Sequence, residues 1–249
     1  MFRLIILNGV SDMKEIYIFN IKNKEVNGDT YERLLNFVSD EKRARIGRFR
    51  IYEDKLRSLF GEAVAKNELS KKLKCDIKDI EFENNKYGKL KVKGNNDIYF
   101  NISHSGDYAI VGISDSEIGI DIEIYKGAKH EVVDLAKRYY TEDEYNWILS
   151  FDEAERIKAF YKIWTLKESY VKFVGKGLSI SLSSFTFAFD GSNISLKKDN
   201  EVFNDVQFKT YDIEDSYMMS ICYKGGCCSE QVEVKNITLE QLKEDLKIE

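Results

Sequence analysis

Alternation of apolar and polar residues is most regular in the stretch Ile118-Gly-Ile-Asp-Ile-Glu-Ile124. A period of two is typical of a half-buried β-strand. The isoleucines share one face of this strand, and Gly119, Asp121 and Glu123 share the other. Successive residues on one face lie roughly 6.5–7 Å apart. The two carboxylates therefore either form a hydrated acidic face or hold one hydrated cation between them.

Patterns of the same kind predict the other elements. Strands are predicted at residues 13–19, 80–82, 90–92, 98–102, 108–113, 185–189, 206–211 and 217–223. Helices are predicted after the capping residue Asp29, at 56–64, at 132–139, after Thr141, at 152–174 and after Thr238. The strand at 118–124 is expected to form a hairpin with 108–113 through the turn at 114–116.

This order of elements predicts an α+β fold of two similar halves, each with one long helix and a few strands. A chain of 249 residues is long enough for one large domain or two small ones. We expect an N-terminal appendage at 1–12, an N-terminal α+β half at 13–115 and a C-terminal α+β half at 116–249. No residue-level repeat between the halves is evident.

Composition narrows the class of protein. A hydrophobic content of 43% and a charged content of 33% fit a soluble globular protein. No stretch is long and apolar enough for a membrane span, and a net charge of −5 argues against wholesale binding to nucleic acid. The cysteines lack CxxC spacing and predict reduced cytoplasmic thiols, with Cys227-Cys228 either redox-active or simply part of a turn.

Positive charge is concentrated between residues 42 and 57 of this acidic chain. The cationic residues there are Lys42, Arg43, Arg45, Arg48, Arg50, Lys55 and Arg57. Such a run is either a solvated helical face or a binding site for a polyphosphate or an acidic partner.

Two glutamates in the C-terminal half have more than one interpretation. Glu168 falls on the predicted inward stripe of the long helix, which also contains Ile157, Tyr161, Trp164 and Val171. An unpaired carboxylate is costly there, so Glu168 either pairs with Lys172 one turn later or binds a cation with other carboxylates. Glu144 stands three residues after Thr141, the spacing of a capping box.

Asp121, Glu123 and Glu168 together suit Mg²⁺, which prefers oxygen ligands and retains waters that a phosphate oxygen can displace. A metal beside basic residues is typical of phosphoryl-type transfer. The chain has no Walker A loop and no GxGxxG after a strand, so side chains would have to hold a nucleotide. His104 is either a structural histidine or part of such a site.

Three motifs in a fixed order now suggest a family. They are Phe100-Asn-Ile-Ser-His-Ser105, Ile118-Gly-Ile-Asp-Ile-Glu123, and Trp164-Thr-Leu-Lys-Glu-Ser-Tyr-Val-Lys172 followed by Gly175-Lys-Gly-Leu178. With Lys86-Tyr-Gly-Lys89 and the basic segment 42–57, they resemble the signature of the Sfp-type 4′-phosphopantetheinyl transferases. The resemblance covers residues 13 to about 225. It implies a monomer of two pseudo-symmetric α+β halves, with coenzyme A (CoA) and magnesium in the cleft between them.

The resemblance also implies roles for individual residues. Asp121, Glu123 and Glu168 match the magnesium ligands, and Glu144, Lys172 and Glu168 match catalytic residues. Glu144 corresponds to a proposed general base, a role that competes with capping. The residues matched to CoA contacts are Lys42, Arg45, Arg57, Gly88, Lys89, Ser103, His104 and Lys172. Arg45 stands where the family often has lysine, and Leu90 stands where it has proline.

The implied reaction moves 4′-phosphopantetheine from CoA to a serine hydroxyl of an apo acyl or peptidyl carrier protein and releases 3′,5′-ADP. Two other functions share the same acids and basic cluster: a Mg²⁺-dependent nucleotide phosphodiesterase, and a non-catalytic module that binds CoA or a carrier. The sequence leaves fatty-acid, polyketide and nonribosomal-peptide carriers open. Its length and Trp-to-GKGL motif favour the broad-specificity type found in secondary metabolism.

Overall fold

The computed structural model describes residues 13–22, 26–125, 129–199, 201–214, 216–225 and 231–248. The chain divides into two compact units. The first unit takes the described residues of Met1–Lys86, Leu90–Ser116 and Glu230–Glu249, and the second takes those of Tyr87–Lys89 and Glu117–Ser229. One division between the units falls at Ser116, whereas the C-terminal residues lie with the first unit and Tyr87–Lys89 with the second. The predicted domain bounds stay a prediction. The predicted appendage at 1–12 lies outside the described residues.

Both units contain helices and strands. The strands are β1 (Lys14–Asn20), β2 (Phe82–Asn84), β3 (Leu90–Val92), β4 (Tyr99–Ser105), β5 (Tyr108–Ser114), β6 (Ile118–Ile124), β7 (Thr186–Asp190), β8 (Asn193–Lys198), β9 (Glu201–Phe203), β10 (Val206–Ile213), β11 (Tyr217–Lys224) and β12 (Glu233–Ile237). The helices are α1 (Gly28–Leu35), α2 (Asp40–Gly47), α3 (Tyr52–Leu73), α4 (Lys129–Tyr139), α5 (Glu142–Leu149), α6 (Arg156–Val174) and α7 (Leu239–Leu246). Among the described residues, no helix combines the length and the apolar character needed to cross a membrane.

The first unit is built on a four-stranded sheet in the order β12-β1-β5-β4. β5 is buried along its whole length, and α3 packs against the sheet. The rings of Phe19 on β1 and Phe60 on α3 are stacked with their centroids 4.1 Å apart. β12 pairs in parallel with β1, which explains why the C-terminal residues belong to this unit.

The second unit is built on a three-stranded antiparallel sheet in the order β10-β11-β6, covered by α6. A buried hydrogen bond joins the hydroxyls of Thr165 on α6 and Ser220 on β11, whose oxygens lie 2.6 Å apart. A second three-stranded sheet in this unit, with shorter strands, has the order β7-β8-β9. β6 forms at the predicted residues, but it is buried on both faces as far as Ile122 instead of half-buried. Ser220 is the direct partner of Asp121 across the ladder.

The predicted hairpin between β5 and β6 is wrong. β5 pairs with β1 on one edge and with β4 on the other, so neither edge remains for β6. β6 pairs instead with β11. A short polar link between two apolar runs favours a hairpin locally, but partners distant in sequence complete the two sheets.

Three of the four predicted helix caps are confirmed and one is wrong, and α6 begins at Arg156 rather than at residue 152. The N-cap of α1 is Asn27, whose side chain accepts a hydrogen bond from the backbone of Thr30, and Asp29 lies in the first turn. The capping boxes at Thr141 and Thr238 are confirmed. Gly175 ends α6 with φ +68°, a left-handed conformation that favours glycine.

The polar face of β6 lies directly against the backbone of α6. A Cβ atom on Gly119 would lie 2.0 Å from the carbonyl oxygen of Ser169 and 2.3 Å from the backbone nitrogen of Phe173. Any side chain would force the strand and the helix apart. Because Asp121 and Glu123 follow Gly119 on the same face of the strand, this contact brings their carboxylates towards α6.

We expect Gly119→Ala to lower the free energy of unfolding by about 3 kcal/mol, because the added methyl overlaps backbone that has no rotamer to change. Urea denaturation followed by circular dichroism measures the effect. Gly47→Ala is the matched control, since nothing lies within 4 Å of a Cβ at that position. Stability in Gly119→Ala equal to that of the wild type would contradict the close contact.

Candidate active site

An ion pair joins the middle of β6 to the last turns of α6. The Nζ atom of Lys172 lies 2.6 Å from Oδ1 of Asp121. The Asp121 side chain is 4% exposed and that of Lys172 is 27% exposed. A buried carboxylate on a rigid strand is therefore paired with a partly exposed cation on a flexible stem.

Glu168 lies one helical turn before Lys172 and is half-buried. Burial raises the pKa of its carboxyl group, the negative charge of Asp121 raises it further, and Lys172 opposes both effects. The carboxylates of Asp121 and Glu168 are thus close enough to repel each other electrostatically. Two acids and a lysine held together in this way are typical of functional sites.

Glu123 is half-buried and follows Asp121 on the same face of β6. Within the described residues, no group of three or more His, Cys, Asp or Glu side chains is arranged so that it could hold a metal ion. The three-ligand set remains a prediction. The pair of Asp121 and Glu168 still fits Mg²⁺, which is commonly bound by one or two protein carboxylates, waters and substrate phosphates.

The stripe of α6 that was predicted to face the core is less deeply buried than predicted. Val171 is buried, but the other four members are only half-buried: Ile157, Tyr161, Trp164 and Glu168. The core of this unit is packed instead by Ala159, Phe160, Ile163 and Leu166. Glu168 therefore lies at the border between core and solvent, where a ligand can reach it.

This half-buried face of α6 continues beside β6 away from the acids. The ring of Tyr125, two residues beyond Glu123, lies 5.5 Å from the ring of Tyr161. Asp121 and Glu123 on the strand, and Tyr125 just after its end, thus run alongside Glu168 and the aromatic residues before it on the helix.

Glu144 is fully buried. Its Oε2 atom accepts hydrogen bonds from the backbone nitrogen and the hydroxyl of Thr141, both at 3.0 Å. Its Oε1 atom accepts one from the backbone nitrogen of Phe187 at 2.8 Å and lies 2.8 Å from Nζ of Lys167. Both oxygens are engaged inside the fold, so the geometry favours capping over the competing role of general base.

Lys167 is a structural residue that the sequence interpretation missed. Its ammonium group donates hydrogen bonds to the carbonyl oxygens of Leu182 and Phe185 at 2.7 and 2.8 Å, and it pairs with Glu144. Burial lowers its pKa, and Glu144 opposes that shift. The sequence contained a signal for its burial, because Lys167 lies four residues after Ile163 and four before Val171, on a buried stripe.

Lys89 connects the start of β6 to the end of α6. Its Nζ atom lies 2.5 Å from a carboxylate oxygen of Glu117 and donates to the carbonyls of Ile118 and Phe173 at 3.2 and 3.0 Å. These bonds give Lys89 a role in the fold, and its predicted contact with CoA stays a prediction. Gly88 has φ +92°, which accounts for glycine in this turn.

In the first unit, three cationic residues of the basic segment lie on α2: Lys42, Arg43 and Arg45. Burial lowers the pKa of Lys42, nearby Glu62 raises it, and the positive charge of Arg45 lowers it. Two neighbouring cations of which one is partly desolvated are typical of an anion site. Glu62 was also missed by the sequence interpretation; it is buried on α3 and accepts a hydrogen bond from the backbone nitrogen of Ser39, the N-cap of α2, at 2.9 Å.

Arg57 lies beside the turn that follows the first motif. Its guanidinium group donates to the carbonyl oxygen of Gly106 and pairs with Asp54. Ser103 is buried and His104 is exposed on β4, just before this turn. Three residues matched to CoA contacts are therefore close together in the first unit, and their roles remain predictions.

Comparison with known proteins accounts for both units. Residues 117–222 match the family model of the 4′-phosphopantetheinyl transferase superfamily, and residues 25–116 match that of the 4′-phosphopantetheinyl transferase N-terminal region. The boundary between the two matches falls immediately before β6.

Individual relatives cover most of the chain. The 4′-phosphopantetheinyl transferase Sfp of Bacillus subtilis (strain 168) is 36% identical over 198 residues, which are 77% of this chain and 84% of that protein. The 4′-phosphopantetheinyl transferase psf-1 of Bacillus pumilus is 37% identical over 206 residues, 82% of this chain and 86% of that protein. A solved holo-(acyl-carrier-protein) synthase from Bacillus anthracis matches with a TM-score of 0.38 at 20% identity, over 44% of this chain and 95% of that one.

The two family models together span residues 25–222, and the relatives match at more than 30% identity over most of their own length. The chain therefore belongs to the Sfp-type 4′-phosphopantetheinyl transferase family.

Proposed function

We propose that this protein transfers the 4′-phosphopantetheine group of CoA to a serine hydroxyl of an apo acyl or peptidyl carrier protein and releases 3′,5′-ADP. Family membership supports the reaction. The observation that carries the proposal is the cluster of Asp121, Glu168 and Lys172 between β6 and α6, where two acids and a cation are held together.

In this reaction the serine oxygen attacks the phosphorus that bears the pantetheine arm, and the bond from that phosphorus to the bridging pyrophosphate oxygen breaks. The electron pair leaves with 3′,5′-ADP. Lys172 is placed to hold a phosphate oxygen and to stabilise the negative charge of the leaving group. Mg²⁺, when bound by Asp121 and Glu168, would supply further positive charge at the pyrophosphate. Glu123 is the third member of the predicted ligand set.

Glu168 is proposed here as a ligand of the metal, and a carboxylate bound to Mg²⁺ is a poor acceptor for the proton of the serine. In the metal-free protein its half-buried carboxyl group has a raised pKa, because burial and the charge of Asp121 disfavour ionisation, and a cation bound there would offset both effects. The proton of the serine would therefore pass to water. Glu144 offers no oxygen to a substrate, since both of its oxygens are engaged inside the fold. We therefore propose that Glu144 acts by fixing the N-terminus of α5 against β7, and not by proton transfer.

The basic residues of the first unit fit the nucleotide end of CoA. Lys42 and Arg45 on α2, and Arg57 beside the turn after His104, would bind the 3′-phosphate. Ser103, Gly88 and Lys89 remain predicted contacts of the CoA phosphates.

We further propose a monomeric cytoplasmic enzyme whose partners are CoA and a carrier protein, without nucleic acid or membrane. The net charge of −5 supports the exclusion of nucleic acid. Among the described cysteines, Cys75 and Cys222 are free thiols, in agreement with a reducing compartment. Cys227 and Cys228 lie outside the described residues.

The reaction is tested by incubating the protein with CoA, Mg²⁺ and an apo carrier protein, and weighing the carrier by mass spectrometry. We expect a mass increase of one 4′-phosphopantetheine group, which disappears when the acceptor serine is replaced by alanine. Absence of the increase across fatty-acid, polyketide and peptidyl carriers would refute the function. Cleavage of CoA without any carrier would indicate a phosphodiesterase, and CoA binding without turnover would indicate a binding module.

We expect Lys167→Met to lower the free energy of unfolding by about 3–5 kcal/mol, because it leaves the charge of Glu144 buried without its partner. Glu144→Gln should also lose stability but keep kcat within about threefold per folded molecule, if the residue is structural. Lys93→Met, which breaks only an exposed ion pair with Glu81, should resemble the wild type in urea denaturation. A stable Glu144→Gln protein with kcat reduced about a hundredfold or more would restore the general-base role.

Glu168→Gln should abolish transfer and yet raise the free energy of unfolding at pH 8, by about 1 kcal/mol. Because the pKa of Glu168 is raised in the folded state, its ionised form opposes folding above that pKa, and the penalty disappears as the pH falls below the unfolded value. The stability gain of the variant should therefore shrink on acidification. Exposed Glu153→Gln is the control. A wild-type transfer rate in Glu168→Gln would remove the residue from the site.

A further inference from the structure

The ammonium group of Lys172 is bound to a carboxylate that is predicted to hold a metal ion. Its Nζ atom lies 2.6 Å from Oδ1 of Asp121, and its charge also lowers the pKa of Glu168. One lysine thus offsets the charge of both carboxylates that fit a metal ion. A divalent cation on the same oxygen of Asp121 would lie within a few ångströms of this ammonium and be repelled by it.

We propose that Lys172 acts as an internal counter-ion, so that a divalent metal binds tightly only together with the CoA pyrophosphate, which draws the lysine away from Asp121. The proposal rests on the proposed function, because it assumes that the pyrophosphate is the ligand of this site. It assigns Lys172 a role in the order of binding, in addition to stabilising the leaving group.

The two partners differ in their freedom to move. Asp121 is in the middle of β6, paired across the ladder with Ser220, and its side chain is almost completely buried. Lys172 is partly exposed near the end of α6, on a stem of four carbons that can place the ammonium group over a range of several ångströms. Lys172 is therefore the member of the pair that leaves when a stronger anion arrives.

If Lys172 exchanges Asp121 for a phosphate of CoA, the binding of the metal and the binding of CoA are thermodynamically coupled. While Lys172 remains on Asp121, a metal has to displace an ion pair that is already formed, which lowers its affinity for the free protein. When a phosphate oxygen binds the ammonium group, Asp121 and Glu168 are left with excess negative charge and attract the metal. Because coupling is reciprocal, the metal must strengthen CoA binding by the same factor.

The test is isothermal titration calorimetry of the full-length protein with MgCl₂, without CoA or carrier. We expect Lys172→Met to bind Mg²⁺ at least tenfold more tightly than the wild type, because the competing cation is gone. Lys172→Arg keeps the charge and should bind Mg²⁺ as weakly as the wild type. Lys158→Met is the matched control: it removes a lysine from the same helix that also pairs with an aspartate, Asp212, but about 21 Å away along α6.

A second titration measures the coupling itself. Saturating CoA should tighten Mg²⁺ binding in the wild type by a factor at least tenfold larger than in Lys172→Met. Equal or weaker Mg²⁺ binding by Lys172→Met, with a circular dichroism spectrum like that of the wild type, would overturn the proposal. Lys172→Gln repeats the test if the methionine variant fails to fold.

The outcome can be separated from that of the proposed function, because neither titration requires turnover. Carrier modification without tighter Mg²⁺ binding in Lys172→Met would refute the counter-ion alone. If Lys172→Met binds Mg²⁺ more tightly but the wild-type protein modifies no carrier, the counter-ion would be supported and the transferase function refuted.

Discussion

The contact between the backbone of β6 and that of α6 at Gly119 is the constraint on which the site depends. Ser169 and Phe173 lie so close to this glycine that a Cβ would overlap them. The contact fixes the separation of strand and helix, and thereby the separation of Asp121 from Glu168 and Lys172. The bonds of Lys89 to the carbonyls of Ile118 and Phe173 hold the same two elements where β6 begins and α6 ends. The positions of the acids, and therefore their chemistry, depend on the packing at Gly119 and on the hydrogen bonds of Lys89.

Two consecutive residues of α6 differ in burial, and this difference gives one charged group a role in the fold and the other a role in the site. Lys167 and Glu168 are neighbours in sequence, but a helical step of about 100° directs them to different surroundings. Lys167 is fully buried with Glu144, and both groups of that pair are satisfied by backbone and side-chain partners. Glu168 is half-buried beside Asp121, and the pKa of its carboxyl group is raised. The first arrangement stabilises the fold, whereas the second leaves a site able to take up a proton or a cation.

Sequence patterns predicted the local features well, because periodicity, capping and turn chemistry act over a few residues. β6, the capping box at Thr141, the end of α6 at Gly175 and the family all follow from such signals. The partners of β5 and β6, and the parallel pairing of β12 with β1, depend on residues far apart in the sequence and were not predicted. Burial of Glu144 and the pairing of Lys167 were missed for the same reason, since Phe187 and Leu182 reach them from another part of the chain.

The most direct test of the proposed site is the pKa of the Glu168 carboxyl group, measured by NMR titration of the metal-free protein with ¹³C-labelled glutamate. We predict a pKa above the usual range of glutamate, because burial and the charge of Asp121 both disfavour ionisation. In Asp121→Asn the pKa of Glu168 should fall but stay raised, since burial remains. An ordinary pKa in the wild type, unchanged in Asp121→Asn, would show that the two carboxylates do not share one site.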